Sequence, residues 1–223
     1  MHLFRRLSLF LITPLLIVWT VSFSTSTLAR TPSRTPDQPA HLQVSLFNDA
    51  HIDAATLAEA EARASAIFFH AGIDVDWLVC APADPADFTP SHSACSALAW
   101  PSHLSVRISP RALSVSADTF GQAFVDPSGE GIYSNVYFQN LARSSRHPAL
   151  SDGELLGCVL AHELGHLLLG ANSHSASGLT QARWDSSALR SAALSSLLFT
   201  RAQSATLRSR LSSQVVAFAR LYP

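Results

Sequence analysis

The segment from Ser151 to Gly170 constrains this chain more than any other. Ser151 and Glu154 have capping-box spacing, and Gly170 is a stop, so a helix is expected from Ser151 to Leu169. Inside it lie His162-Glu163-Leu164-Gly165-His166. Two His at i and i+4 share a helix face, one turn apart. That spacing lets both imidazoles reach one tetrahedral Zn2+, with Glu163 beside them to take a proton from a water on the metal. Val159, Leu160, Ala161, Leu164, Leu167 and Leu168 carry no charge, so the helix is expected to be largely buried. Two His and a Glu buried there need partners. Gly165 costs about 1 kcal/mol relative to Ala in a helix interior. It makes sense where another chain segment passes close. The bland alternative is a helix whose His and Glu are merely hydrogen-bonded.

A tetrahedral catalytic zinc takes three protein ligands and keeps one open position. After His166 the remaining candidates are His174 and Asp185. Imidazole is the better-matched third ligand, and a turn at Gly170 brings His174 back toward the helix. The expected metal ligands are therefore His162, His166 and His174, with Asp185 as the alternative third.

The run from His162 to His174 resembles the metzincin zinc-peptidase signature, H-E-x-x-H-x-x-G-x-x-H. In that family the three His bind zinc, the Glu is the general base and the Gly turns the chain. His162, Glu163 and His166 match in register. Gly170 stands one residue late and His174 two. The family also carries a Met-containing turn beneath the zinc. Met1 is the only Met here, and Thr180 in Ser177-Gly178-Leu179-Thr180 stands where that Met would be. The resemblance covers roughly residues 41–175 and implies an α+β, zincin-like fold: a mixed twisted sheet with a β-α-β start and an active-site helix carrying HExxH. C-terminal helices are expected to follow. The resemblance also implies an edge strand that pairs with extended substrate, a role assigned to Phe120–Val125.

The order of elements read from the residues agrees. Leu42–Phe47 alternates as a strand, and Asp53 can cap a helix with Leu57, Ala60, Ala64, Ile67, Phe68 and Ala71 on one face. Ile73–Val79 is a second strand, expected to be parallel to the first. Leu104–Ile108 is a third. Phe120–Val125 and Asn135–Phe138 flank a turn-rich loop. Thr200 and Gln203 form another capping box, opening a last helix with Leu207, Leu211, Val215 and Phe218 on one face.

Arg5 and Arg6, the apolar run Leu7–Val21 and small residues before Ala29 read as a signal peptide over 1–29. The run is short for a bilayer span of about 20 residues. The alternative is an uncleaved N-terminal anchor. Residues 30–40 read as a disordered linker and 41–223 as one domain, secreted or periplasmic and monomeric, with no stable membrane insertion after cleavage. In an oxidising compartment Cys80 and Cys95 are expected to pair across their loop, leaving Cys158 buried and free. The formal charge of −1 argues against nucleic acid as a partner.

These readings converge on a zinc-dependent endopeptidase acting on peptides or proteins, with Glu163 catalytic. A metal-binding interaction module with little turnover is the alternative. A hydrolase of non-peptide amides is the third class.

Overall fold

The computed structural model describes residues 39–81, 94–111, 116, 118–144 and 150–221. The expected signal peptide, the linker up to residue 38 and the centre of the Cys80–Cys95 loop lie outside the described residues.

Strand β1 spans Ala40–Asn48, with Leu42, Val44 and Leu46 fully buried. Asp53 then caps helix α1 (Ala54–His70), its Oδ1 accepting from the N–H groups of Ala55 and Thr56 at 3.1 and 3.0 Å. The six apolar positions expected on its inner face are all buried. Strand β2 (Ile73–Cys80) returns parallel to β1. A β-α-β connection forces this, because the helix carries the chain back to the starting edge.

Strand β3 (His103–Ser109) pairs parallel to the other side of β1, and β5 (Tyr133–Tyr137) parallel to β3. Strand β4 (Gly121–Phe124) is antiparallel to β5, so the order is β2-β1-β3-β5-β4 and β4 is an edge. The mixed sheet and β-α-β start are those expected. Residue Phe138, read as the end of a strand, instead opens helix α2 (Phe138–Ser144).

Helix α3 (Asp152–Leu169) packs on α1 and on the β3, β4 and β5 side of the sheet. Its buried residues lie all round its axis, Leu155, Leu160, Leu164 and Leu168 among them. Helix α4 (Ser186–Ala193) was not expected from its Ser-rich sequence. Helix α5 (Arg201–Leu221) opens on the expected capping box: Gln203 N–H donates to Thr200 Oγ1 at 3.3 Å and Thr200 N–H to Gln203 Oε1 at 3.0 Å. Leu207 and Leu211 reach the core, while the side chains of Val215 and Phe218 lie outside the described residues. A disulfide joins Cys80 to Cys95, and Cys158 is a buried free thiol. Among the described residues no helix is long and apolar enough to cross a membrane.

Candidate metal centre

Helix α3 is fixed at both ends. At its start Ser151 Oγ accepts the Glu154 N–H and the Ser151 N–H donates to Glu154 Oε2, both at 3.0 Å. At its end Trp100 Nε1–H donates to Leu167 O at 3.0 Å and Arg210 Nη1 to Leu168 O at 2.6 Å. These donors satisfy carbonyls that a helix terminus leaves without partners. The segment that passes close to Gly165 carries Phe199: a Cβ at 165 would stand 2.6 Å from its ring.

The rigid helix presents His162 and His166 on one face, with Nε2 atoms 3.0 Å apart. Gly170 at φ +88° and Asn172 at φ +57° then turn the chain back. A left-handed φ is open to Gly without steric cost and tolerated by Asn. The turn sets the His174 ring 4.6 Å from that of His166 and 5.9 Å from that of His162, centre to centre. One nitrogen from each ring lies within 4.8 Å of the others. The three expected ligands therefore meet. Asp185, the alternative third, is elsewhere occupied: its Oδ1 caps α4, accepting from Ser187 and Ala188 N–H at 2.9 Å each.

Hydrogen bonds decide which nitrogens face inward. His162 Nδ1–H donates to Leu179 O at 2.8 Å, because a carbonyl only accepts. Neutral His162 therefore keeps a bare Nε2. His166 Nδ1 lies 2.7 Å from Ser173 Oγ, a hydroxyl that both donates and accepts. Without a cation, Ser173 donates to Nδ1 and His166 Nε2–H donates to His162. With one, the His166 proton sits on Nδ1 and both Nε2 lone pairs point inward. The donor set fits zinc: two nitrogens on one tetrahedral ion at about 2.0–2.1 Å stand about 3.3 Å apart.

Glu163 lies against β4 in the cleft that the three His line. It is 5% exposed. The Ala123 N–H bonds its carboxyl, and a Cβ at Gly121 would lie 2.5 Å from Glu163 Oε1. Only a residue without a side chain leaves that room. Tyr137 N–H donates to Phe120 O, so alternation turns the backbone groups of Gly121 and Ala123 away from β5. They face a cleft of 870 Å3 that the three His and Glu163 also line.

No family model matches this chain, and no curated protein does. Solved structures similar to it include three peptidases or metalloproteinases. A zinc-dependent peptidase from Methanocorpusculum labreanum is 13% identical, with TM-score 0.48 over 74% of this chain and 99% of that one. Archaemetzincin from Methanopyrus kandleri is 17% identical, with TM-score 0.45 over 78% and 97%. Metalloproteinase-II from Bacteroides fragilis is 15% identical, with TM-score 0.47 over 80% and 55%.

Burial dominates the electrostatics of the site. It lowers His162 to about 4, against the opposing pull of the Leu179 carbonyl, and His166 to about 3, where the neighbouring imidazoles add to it. Both rings are thus neutral at pH 7 and available as ligands. Burial pushes the Glu163 carboxyl up to about 8, the Ala123 N–H opposing it. A dication on the three imidazoles would draw that value back down.

Several individual contacts of the site were not foreseen: those of the Ser173 hydroxyl, the Leu179 carbonyl, Gly121, Ala123 and Gln203. Gly121 and Ala123 do lie in the segment Phe120–Val125 expected at the cleft, Leu179 in the turn Ser177–Thr180 and Gln203 in a capping box, whereas Ser173 carried no signal. The turn with Thr180 does lie beside the His: its Leu179 carbonyl holds His162, and the buried Thr180 hydroxyl stands 2.8 Å from Ser175 Oγ.

Proposed function

We propose that this chain is a zincin-like, zinc-dependent endopeptidase, with His162, His166 and His174 as ligands and Glu163 as general base. One observation carries the reading: three imidazoles converge within 4.8 Å beside a buried carboxyl, in a cleft bordered by an open strand edge.

Zinc, when bound, supplies a Lewis acid that acidifies water and polarises a carbonyl. The chain supplies the rest. The outward N–H and carbonyl of Gly121 and the outward carbonyl of Ala123 pair with an extended peptide, as an added strand does, while the Ala123 N–H stays on Glu163. This sets the scissile bond along β4, within reach of Glu163. The carboxylate takes a proton from the attacking water and hands it to the leaving amine. The walls of α3 and β4 restrict water around Glu163, which keeps its proton affinity high enough for both steps. Ser173 and the Leu179 carbonyl hold the His166 and His162 rings in orientation.

The Cys80–Cys95 disulfide and the N-terminal apolar run together support an exported protein, with a single domain after residue 40.

The test is a metal count and a protease assay on wild type and Glu163→Gln. One zinc per chain in both, with cleavage of an unfolded polypeptide only in wild type, is the expected pair. Equal turnover in the variant refutes the role of Glu163, and absence of zinc from wild type refutes the site.

A further inference from the structure

Two chain segments complete the triad from outside α3. Ser173 adjoins His174 and holds His166 through its hydroxyl. Leu179 holds His162 through its carbonyl and adjoins Thr180. Both segments are loops, so neither is ordered by its own backbone ladder. One side chain from a third element touches both. Gln203, in the first turn of α5, donates its Nε2 amide to Thr180 Oγ1 at 2.5 Å and to Ser173 O at 3.4 Å. Its Oε1 meanwhile accepts the Thr200 N–H at 3.0 Å, which closes the helix cap. The amide plane thus has its oxygen committed to α5 and its two protons to the loops.

Thr180 is fully buried, and its hydroxyl also meets Ser175 Oγ, itself one residue past His174. The backbone repeats the tie, Ser175 N–H donating to Thr180 O at 3.0 Å. Gln203 therefore sits at the junction of the strap carrying the third imidazole and the turn that orients the first. The junction is part-buried. An amide that loses its donors leaves Thr180 and Ser173 with one partner fewer, although Leu179 N–H still donates to Leu198 O at 2.8 Å and Thr180 keeps Ser175.

From this juxtaposition we infer that Gln203 is a positioning residue for the metal centre: its amide holds the Ser173–His174 strap and the Leu179–Thr180 turn in the spacing that three-imidazole binding requires. The inference rests on the metal reading above and adds to it a determinant 29 residues beyond the last proposed ligand. It also explains why α5 opens on Gln rather than Glu. Either completes a capping box, but only Gln has N–H groups left for the loops.

Two substitutions separate positioning from capping. Gln203→Glu keeps the acceptor for Thr200 N–H and removes the donors. Thr200→Ala removes the cap hydroxyl and keeps the Gln203 amide. The measurements are thermal melting of the chelated proteins, zinc affinity by chelator competition, and the absorption spectrum of the cobalt-substituted site. Hydrogen exchange over residues 171–184 in the metal-free proteins completes the set.

Gln203→Glu is expected to lose no more in melting temperature than Thr200→Ala, exchange faster over 171–184 but not in α3, bind zinc about 10- to 100-fold more weakly and shift the cobalt bands. Its added negative charge would by itself strengthen cation binding, so a loss cannot come from charge. Thr200→Ala is expected to melt lower while keeping wild-type zinc affinity and spectrum. Wild-type affinity and spectrum in Gln203→Glu overturn the inference. So does a zinc loss that tracks the melting point across both variants. If wild type binds no zinc the metal reading fails, and the exchange comparison alone then decides whether Gln203 orders the two loops.

Discussion

His174 is the one imidazole of the three that does not ride on a helix, and this difference is open to test. His162 and His166 are held by α3 and by their own Nδ1 partners, whereas His174 is exposed on the strap after Gly170. Removing it should weaken zinc binding without disturbing α3. His174→Ala is expected to lose zinc to a mild chelator with the helical circular dichroism unchanged. Asp185→Ala should keep its zinc and lose about 1 kcal/mol through the α4 cap. The reverse pattern would make the site His2Asp. The pair on the helix was legible because helical spacing alone fixes two side chains one turn apart. The third could be reduced to two candidates by elimination. Ser173 left no trace in the sequence, and Ala123 and Leu179 were marked only as members of a strand and a turn, because backbone groups and serines become partners only through tertiary contact.

At the scale of elements, α3 combines a helix-weakening residue with near-complete burial. The Phe199 ring occupies the space a Cβ at 165 would need. Gly165→Ala gains about 1 kcal/mol in helix propensity but overpacks the contact, which costs typically about 1–3 kcal/mol. A net loss in urea unfolding is expected, and Gly165→Ala combined with Phe199→Leu should recover part of it. A single variant more stable than wild type would show that the ring moves aside freely. Helices α1, α3 and α5 were readable because each joins a side-chain cap to a long run of apolar residues at helical spacing. Helices α2 and α4 were not. The first follows β5 without a break, and the second has the same kind of cap at Asp185 but only eight residues, Ser186 and Ser187 among them, whose composition reads as loop.

Across the whole molecule, the buried titratable groups oppose one another. In the chelated protein His162 and His166 titrate near 4 and 3, below the usual 6.5, while Glu163 titrates near 8 rather than 4.5. Unfolding between pH 4.5 and 6.5 then takes up two protons on the imidazoles and releases one from Glu163. Stability should rise with pH there, by about 1.4 kcal/mol per unit. Between 6.5 and 8 only the Glu163 proton is released on unfolding, so stability should fall with pH. His103 and Glu61 shift in the same two opposed senses and leave the shape intact. Urea unfolding of the chelated protein at pH 5, 6.5 and 8 is expected to give a maximum at the middle value. A monotonic trend would show that one of the two sets is not buried in solution. Separately, reducing the Cys80–Cys95 bridge reopens a loop of sequence separation 15 and should cost about 3 kcal/mol. Under non-reducing conditions a peptide map should show that bridge alone, with Cys158 alkylated only after unfolding.

Strand β4 ends the sheet after four residues with its outward backbone groups turned to the cleft. If the proposed peptidase reading holds, a site built this way would select its targets by what they lack. A polypeptide already engaged in its own sheets and helices has no backbone groups to lend, so a native globular protein would pass by uncut. The same protein would become a target when heat, reduction or damage frees a stretch of it. The rate of cleavage on any given target would then measure how often that target locally opens, and the length of β4 sets the shortest opening that counts.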